Sequence, residues 1–458
     1  MKYLLITFFL ALNFFFLFTG PTFASEAEKI KKIEWAGPEI IWLPDERFPT
    51  YQIMVYFADG ASSDALGKSG ETSLMFDLLV AGTNRFSQKE ISDNLEFYGV
   101  SWGARVGQEY STYRISGLVK DIIPTLKQIC HLFGDATFPS EELQKAQKNT
   151  KTDLINMVKN NEALAERASR RMVLQGTPYD RPNEGYLKDV MNIHRDDLEK
   201  KLKYFNTQVK KRIYITGPEK VLQLKEIFFE ECGWRQTNGF VLSWDYKSPE
   251  IKGPRLIFVP IPKSTQAQVR FGQFIPKKEF PLYPQMTMTS TFLGEGFISQ
   301  LMQEIRVKRG LSYGINAFAN LQKDFGFTGI STFTQNSRLE ELLATIKQKL
   351  SDLAAGQFPA DQLERSRNYL IGGYPFLFER NEAHLGQLLY LDHLGKDYKQ
   401  LYDFPDEIKK VTTPEVSQAL GAYFNWEKMV VVVVGDPSLK ATLEKFGKVE
   451  TWRSTDLL

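Results

Sequence analysis

The chain has 458 residues, enough for two or three domains with a large buried core. Its 57 Lys and Arg against 55 Asp and Glu give a net charge of +2, so a nucleic-acid binder, which carries a basic surplus, is not expected. Hydrophobic residues make up 43% and aromatic residues 13% of the chain, which excludes a disordered protein.

Residues 1–24 have the form of a bacterial secretory signal. Lys2 precedes an apolar run from Tyr3 to Phe18, and Thr22 and Ala24 give the small-x-small spacing that a signal peptidase needs. We predict cleavage after Ala24 and export to the periplasm. The alternative is an uncleaved membrane anchor, because the run is close to spanning length. After cleavage no stable membrane span is expected.

Histidine and cysteine are scarce. The four histidines, His131, His194, His384 and His393, are at least nine residues apart, so the sequence contains no local two-histidine zinc motif. Cys130 and Cys232 are the two cysteines. They accompany helical patterns at residues 122–133 and 221–229, and the interpretation we favour is two buried thiols. Because the chain is predicted to be exported, a disulfide is the alternative.

An internal repeat organises the rest of the chain. The Phe-Pro run at residues 138–143 recurs at 358–363, and the Tyr-Phe-Asn run at 204–206 recurs at 423–425. The two matches share one order and nearly one offset, 220 and 219 residues. A duplication of about 217 residues is therefore predicted.

Each unit is predicted to begin with strands, continue through helices and close with an apolar strand before a glycine. The predicted strands are residues 39–43, 51–58 and 211–216, then 255–259, 266–273 and 429–434. Helices are predicted at 122–133 and 339–355 and after each Phe-Pro run. This pattern favours an α+β fold of two tandem homologous domains, each an antiparallel-rich sheet covered by helices on one face, arranged as a clamshell.

Turn-rich sequence separates the two units. It contains Thr237-Asn238-Gly239 and Ser248-Pro249 and has few long apolar runs. We assign residues 25–240 to an N-terminal domain, 241–252 to a linker and 253–458 to a C-terminal domain.

A helical run that closes on Gly82-Thr83, together with residues 292–313, resembles the pitrilysin-type zinc peptidases, in the branch of two-domain bacterial subunits similar to mitochondrial processing peptidase. In that family a first-half helix carries His-x-x-Glu-His shortly before Gly-Thr, and a Glu about 76 residues later completes the site. Two histidines four residues apart share one helix face and bind one zinc, while the Glu polarises the metal-bound water.

This chain keeps that frame without its ligands. Aligned on the closing Gly-Thr, Ser73 and Asp77 stand at the two histidine positions and Phe76 at the catalytic Glu position. Asp153 falls at the place of the third ligand. A Ser and two Asp are poor zinc ligands and Phe cannot act as a base. The resemblance therefore implies no catalytic residue and no metal in this chain alone, with zinc expected in a partner subunit.

Two alternatives give Asp77 and Asp153 a role. They would hold a hard cation, or act as an acid-base pair in an independent hydrolase. Two carboxylates and one hydroxyl are few ligands for Ca²⁺, which prefers six to eight oxygens. We therefore favour solvated or salt-bridged structural carboxylates at both positions.

The second half keeps a different motif of the family. Its helical run ends at Gly310 and looks like the Leu-Arg-x-x-x-Gly-Leu-x-Tyr signature, in which an Arg and a Tyr seven residues apart reach a zinc site. The resemblance makes Arg306 and Tyr313 this substrate-binding pair, which donates hydrogen bonds to the peptide carbonyl beside the scissile bond. Arg309 remains an alternative to Arg306, and a solvated helix end is the structural alternative for the whole run.

The resemblance implies a non-catalytic subunit of a periplasmic zinc peptidase heterodimer. Its partner would be a homologous subunit that carries the zinc motif, and its substrate a peptide or unfolded polypeptide. Residues 99–106 occupy the place of the family's edge strand, where an extended peptide adds by backbone hydrogen bonds. The alternative is a peptide-binding or structural assembly protein with no proteolytic role.

Overall fold

The structure is a computed structural model that describes residues 29–236, 239, 241–249 and 253–458. The predicted signal, residues 1–24, lies outside the described residues. The predicted linker, 241–252, is described up to residue 249.

The first half builds one sheet and a helical layer. Its strands are β1 (Lys31–Ile33), β2 (Glu39–Pro44), β3 (Thr50–Phe57), β4 (Ser101–Val106), β5 (Ser111–Leu118) and β6 (Lys211–Gly217). Its helices are α1 (Glu71–Asp77), α2 (Gln88–Phe97), α3 (Ile122–Asp135), α4 (Ser140–Met157), α5 (Asn161–Val173), α6 (Leu187–Val190), α7 (Arg195–Thr207) and α8 (Leu224–Glu230).

The second half builds the other sheet. Its strands are β7 (Arg255–Pro260), β8 (Gln266–Pro276), β9 (Ile315–Leu321), β10 (Phe325–Gln335), β11 (Val430–Gly435) and β12 (Val449–Thr451). Its helices are α9 (Tyr283–Gly294), α10 (Leu339–Ala354), α11 (Ala360–Gly373), α12 (Asn381–Leu394), α13 (Lys399–Lys410), α14 (Thr413–Tyr423) and α15 (Lys440–Glu444). A π-helix, Met302–Lys308, lies between α9 and β9.

The two sheets share one plan. The strand order is β1-β2-β6-β3-β5-β4 in the first sheet and β12-β7-β11-β8-β10-β9 in the second. In each, the closing strand runs parallel to the first long strand and antiparallel to the second. Pro44 lies opposite Gly217 in one parallel pair, and Pro260 opposite Gly435 in the other. The predicted duplication is therefore visible in the backbone pairing, and the predicted α+β class is confirmed.

One helix from each half packs against the sheet of the other half. Helix α5 packs on β8 and β11, and α12 packs on β6. Both helices begin with Asn-Glu-Ala, 220 residues apart. The Asn161 amide donates to the Ser264 hydroxyl (3.0 Å), and the Asn381 amide donates to the Asp45 carboxylate (2.5 Å). Helices therefore cover both faces of the sheets, which corrects the expectation of one covered face.

Strand β11 shows the consequence of this exchange. All of its residues are buried. Val430, Val432 and Val434 pack with residues of α5, whereas Val431 and Val433 belong to the core on the opposite face. A strand buried on both faces is a continuous run of β-branched residues, so the buried strand predicted here is confirmed.

A buried polar contact fixes the two halves to each other. Glu109, in the turn between β4 and β5, lies 2.9 Å from Nε2 of His393 on α12. The same carboxylate accepts the backbone N–H groups of Lys323 (2.7 Å) and Asp324 (2.9 Å) in the turn between β9 and β10. Buried charged groups require such partners, so this contact holds the two turns in one arrangement.

Cys130 and Cys232 form a disulfide, which corrects the prediction of two buried thiols. The cysteines are 102 residues apart, so no local pattern could pair them. Packing of α3 against α8 brings their Cα atoms to 4.5 Å, a distance that a disulfide can bridge.

Candidate functional site

The corner that corresponds to the family's metal site is built around α1. The chain enters this helix through Gly70, whose φ of +94° favours glycine. The buried Asp64 carboxylate accepts the backbone N–H groups of Gly70 (2.8 Å) and Thr72 (3.1 Å) and so satisfies donors at the start of the helix. The helix frame is therefore intact.

Phe76, at the position of the family's catalytic Glu, is part of the hydrophobic core. Its side chain is 3% exposed. Its ring centroid lies 5.6 Å from that of Phe57, 5.4 Å from Phe205 and 6.4 Å from Phe133, mostly in edge-to-face contacts. We name these four residues the aromatic cluster. Burying a Phe side chain stabilises a fold by about 1.5–3 kcal/mol, so the base position now contributes to stability.

The two positions of the metal-binding histidines do not suit zinc either. The Ser73 hydroxyl donates to the carbonyl oxygen of Asn183 at 2.7 Å. Asp77 is accessible to solvent at the end of α1, yet the surrounding protein partly desolvates its carboxyl and raises its pKa. Desolvation disfavours the charged form of a carboxyl, which is the form that binds a metal.

Asp153, at the third-ligand position, lies exposed on α4. Neither Asp77 nor Asp153 forms an ion pair with any described residue. Within the described part of the chain, no three His, Cys, Asp or Glu side chains are grouped to hold a metal. The residues at this corner therefore do not fit zinc, and the alternatives that give the two aspartates a shared role gain no support.

The second corner contains Arg306 and Tyr313, which the structure brings together. Arg306 lies in the π-helix, where the sequence predicted an ordinary helical run, and Gly310 ends this helix with a φ of +58°. The Arg306 Cζ atom lies 4.1 Å from the centroid of the Tyr313 ring. The tyrosine is 74% exposed and lies in the loop just before β9. A guanidinium over an aromatic face is a favourable cation–π contact.

Arg306 and Arg309 differ in their partners. Arg309 Nε lies 2.8 Å from Glu304, and its Nη1 lies 3.8 Å from Glu341. The hydrogen bond from Arg309 is the main reason why the pKa of Glu304 is lowered. Among the described residues the Arg306 guanidinium has no hydrogen bond or carboxylate partner. Arg306, not Arg309, therefore keeps its donors available to a ligand.

Sequence reasoning missed Phe297 at this corner. The Arg306 Cζ atom lies 4.9 Å from the Phe297 ring centroid, and the ring is 64% exposed. A large exposed apolar side chain next to a signature helix is the signal that was available. We call Phe297, Arg306 and Tyr313 the Arg306 cluster.

Strand β4 forms an edge of the first sheet, as expected for residues 99–106. It pairs with β5 on one side, and no described strand lies on its other side. Residues 101–105 are exposed on both faces. Such an edge offers free backbone N–H and C=O groups to an extended peptide.

Comparisons with known proteins agree with this geometry. A family model described as "Peptidase M16 inactive domain" matches residues 192–370. A curated relative from Helicobacter pylori, "Non-peptidase homolog YmxG", is 20% identical over 89% of this chain and 94% of its own length. An "Uncharacterized zinc protease" from Rickettsia bellii is 23% identical over 77% of this chain and 83% of its own length.

Solved structures show the same fold. The "peptidase M16 inactive domain from Pseudomonas fluorescens" superposes with a TM-score of 0.79 at 20% identity, covering 89% of this chain and 98% of that one. A "periplasmic protease PqqL from Escherichia coli" has a TM-score of 0.74 at 10% identity and covers 93% of this chain and 51% of that one.

Residues 192–370 match the peptidase M16 inactive domain, and solved M16-type structures share the fold of the chain. The predicted resemblance is thereby confirmed. Among the described residues, no helix combines the length and the apolar character that crossing a membrane requires.

Proposed function

We propose that this chain is the non-catalytic subunit of a periplasmic heterodimeric zinc peptidase. It supplies Arg306 and Tyr313, which bind the carbonyl of the substrate peptide in a chamber shared with a zinc-bearing homologous subunit. The observation that carries the proposal is the contrast between the two corners. Phe76 is buried in the aromatic cluster, whereas the Arg306 guanidinium has no carboxylate partner among the described residues.

The chemistry of the Arg306 cluster suits a developing oxyanion. A guanidinium and a phenol are hydrogen-bond donors, and donors aimed at the carbonyl oxygen stabilise the negative charge that forms there during peptide hydrolysis. The zinc and the base that activate water would belong to the partner subunit. Removing one such donor from an enzyme typically lowers kcat about 100- to 1000-fold.

The proposed substrate is an extended or unfolded peptide. The exposed edge of β4 supports this class, because strand addition requires a segment without its own backbone partners. A compact protein has paired its backbone already and offers no such segment.

The disulfide supports the proposed export. Disulfides persist in oxidising compartments such as the bacterial periplasm and are rare in the cytosol. Cys130 and Cys232 form the bond, so the described part of the chain contains no free thiol.

A second candidate is a peptide-binding or assembly protein without proteolytic function. The name of the Helicobacter pylori relative, "Non-peptidase homolog", favours it, as does the free edge of β4, which binds peptide without any catalyst. The two candidates differ in whether peptide turnover depends on Arg306.

The test is reconstitution with a homologous subunit that carries His-x-x-Glu-His. We expect the mixture to hydrolyse fluorescein-labelled casein and to lose this activity in a chelator. The variant Arg306→Ala/Tyr313→Phe should lower kcat/KM about 100-fold. Full activity of that variant would contradict the role of the pair, and a stable complex without turnover would favour the second candidate.

Arg309→Ala and Tyr369→Phe are matched controls. Arg309 lies three residues from Arg306 but is held by Glu304 and Glu341, and Tyr369 is another exposed tyrosine of the second half. We expect both controls to keep kcat/KM within about twofold of the unmodified chain, because neither carries the proposed role. An equal loss in the controls would indicate general damage.

A further inference from the structure

We propose that Phe297 is a positioning residue for Arg306. Together with Tyr313 it holds the guanidinium in one orientation, with its donors free to meet the substrate carbonyl. This inference rests on the proposed function of Arg306, and it adds a residue that the Arg/Tyr signature does not contain.

The Arg306 guanidinium contacts two aromatic rings, those of Phe297 and Tyr313. The Arg306 Cζ atom lies 4.9 Å from the Phe297 ring centroid and 4.1 Å from the Tyr313 ring centroid. Both distances are within the range of about 6 Å for a cation–π contact. Aromatic faces attract the cation without forming hydrogen bonds to its N–H groups. The rings therefore orient the Arg306 guanidinium and leave its N–H donors available.

The loop that presents Phe297 is held in place despite its exposure. Gly296 has a φ of +74°, a conformation that favours glycine. The Ser299 hydroxyl donates to the Gly296 carbonyl at 2.8 Å. The Gln303 amide, in the first turn of the π-helix, donates to the Phe297 carbonyl at 2.5 Å. The Phe297 carbonyl is thus tied directly to the π-helix that carries Arg306, and the Gly296 carbonyl is held by Ser299 within the loop.

The π-helix itself supports a functional position. π-helical turns are rare and are found frequently at functional sites. On this helix the Glu304 carboxylate is paired with Lys308 (3.1 Å) and Arg309 (2.8 Å) and not with Arg306. The aromatic rings, and not an ion pair, therefore determine where the Arg306 guanidinium lies.

Positioning predicts an effect on kcat more than on KM. A long arginine side chain has many rotamers, and fixing one of them before reaction lowers the barrier of the step in which charge develops. An exposed cation–π contact corresponds to roughly a two- to fivefold change in equilibrium. We therefore expect Phe297→Ala to lower kcat by about two- to fivefold and to leave KM nearly unchanged.

The first measurement is structural and uses the full chain without a partner. The Arg306 Nε–Hε resonance, assigned by its loss in Arg306→Lys, should move and sharpen in Phe297→Ala because a ring current and a restraint are removed. Phe297→Tyr should preserve the signal. Phe376→Ala is the matched control, since Phe376 is 65% exposed in the same half and lies outside the Arg306 cluster. An unchanged resonance in Phe297→Ala would overturn the inference.

The second measurement is a double-mutant cycle in the reconstituted peptidase with labelled casein. If Phe297 acts through Arg306, Phe297→Ala has no further effect on kcat in an Arg306→Ala background. Additive losses, or a loss confined to KM, would show direct substrate contact and contradict the inference. If Arg306→Ala leaves activity intact, the proposed function fails, while the resonance experiment still decides whether Phe297 orients Arg306.

Discussion

Two regions occupy the two duplicated halves: the metal corner, which is the region around α1 that corresponds to the family's metal site, and the Arg306 corner, which contains the Arg306 cluster. They differ in burial and in hydrogen bonding. At the metal corner, Phe76 is buried among aromatic rings and Ser73 is hydrogen-bonded to backbone. At the other corner, Arg306 and Tyr313 are accessible and have no polar partner among the described residues. One corner is used for stability and the other is available to a ligand.

This difference shows that a lost catalytic site is not simply an empty one. A buried aromatic side chain at the position of the family's base contributes to folding, so exchanging Phe76 for a polar residue would also remove part of the core. Arg306 is half-buried, and its cation–π contacts with two exposed rings contribute little to folding.

The largest expected effect is at Phe76. Phe76→Ala should lower the free energy of unfolding by about 3–5 kcal/mol, because it leaves a cavity in the aromatic cluster. Urea denaturation measures this loss. Phe376→Ala, which truncates an exposed ring, should change it by less than about 0.5 kcal/mol and serves as the control. Equal losses of stability in Phe76→Ala and Phe376→Ala would contradict the assignment of Phe76 to the core.

The disulfide supports the same cluster and should have the next effect. Cys130 lies on α3 with Phe133 of the aromatic cluster. Reduction, or Cys130→Ala/Cys232→Ala, should lower the free energy of unfolding by about 2–4 kcal/mol, since a crosslink across 102 residues restricts the unfolded chain. Unfolding with and without reductant measures it. No difference would mean that the bond is absent in solution.

Glu71, the first residue of α1, should make the free energy of unfolding depend on pH. Burial raises the pKa of Glu71 to about 7, with Lys201 only partly offsetting it. The folded state therefore holds a proton that the unfolded state releases at lower pH. Its stabilising contribution is complete below about pH 4.5 and is lost as pH rises towards 7.

Comparison with Glu71→Gln isolates this effect. The stability advantage of the unmodified chain over the variant should fall by roughly 2–3 kcal/mol between pH 4.5 and 7.5, because each pKa unit corresponds to about 1.4 kcal/mol. Urea midpoints across this range measure it. A difference that does not vary with pH would contradict the raised pKa of Glu71.

The smallest expected effect on stability is at Arg306. Arg306→Ala should change the free energy of unfolding by less than about 1 kcal/mol, because an exposed cation–π contact is all that is lost. The same urea experiment applies. A loss above 2 kcal/mol would assign Arg306 a structural role and remove the distinction between the two corners.

Much of the fold was accessible from the sequence because its signals are local. The Phe-Pro repeat predicted the duplication, and the valine run of β11 predicted a buried strand. The exchange of α5 and α12 was not predicted, although Asn-Glu-Ala at 161 and 381 repeats at the same offset. Which sheet a helix covers depends on contacts distant in sequence, as does the pairing of Cys130 with Cys232.

The sequence also predicted some features of the candidate site and missed others. The spacing of Arg306 and Tyr313 identified two residues that the structure places in contact. The spacing to Tyr313 favoured Arg306 over Arg309. It could not reveal that Glu304 and Glu341 contact Arg309, because Glu341 lies on a different helix. Phe297 was missed because a loop residue before a helix has no periodicity that reveals its contacts.

The central claim is that this chain completes the site of a zinc-bearing neighbour through Arg306. The most direct measurement adds the Arg306→Ala chain in increasing amounts to a fixed quantity of the active pair and follows casein hydrolysis. We predict that the variant displaces the unmodified chain and lowers activity in proportion to its share of the complex. Activity that stays constant while the variant is incorporated would contradict the account.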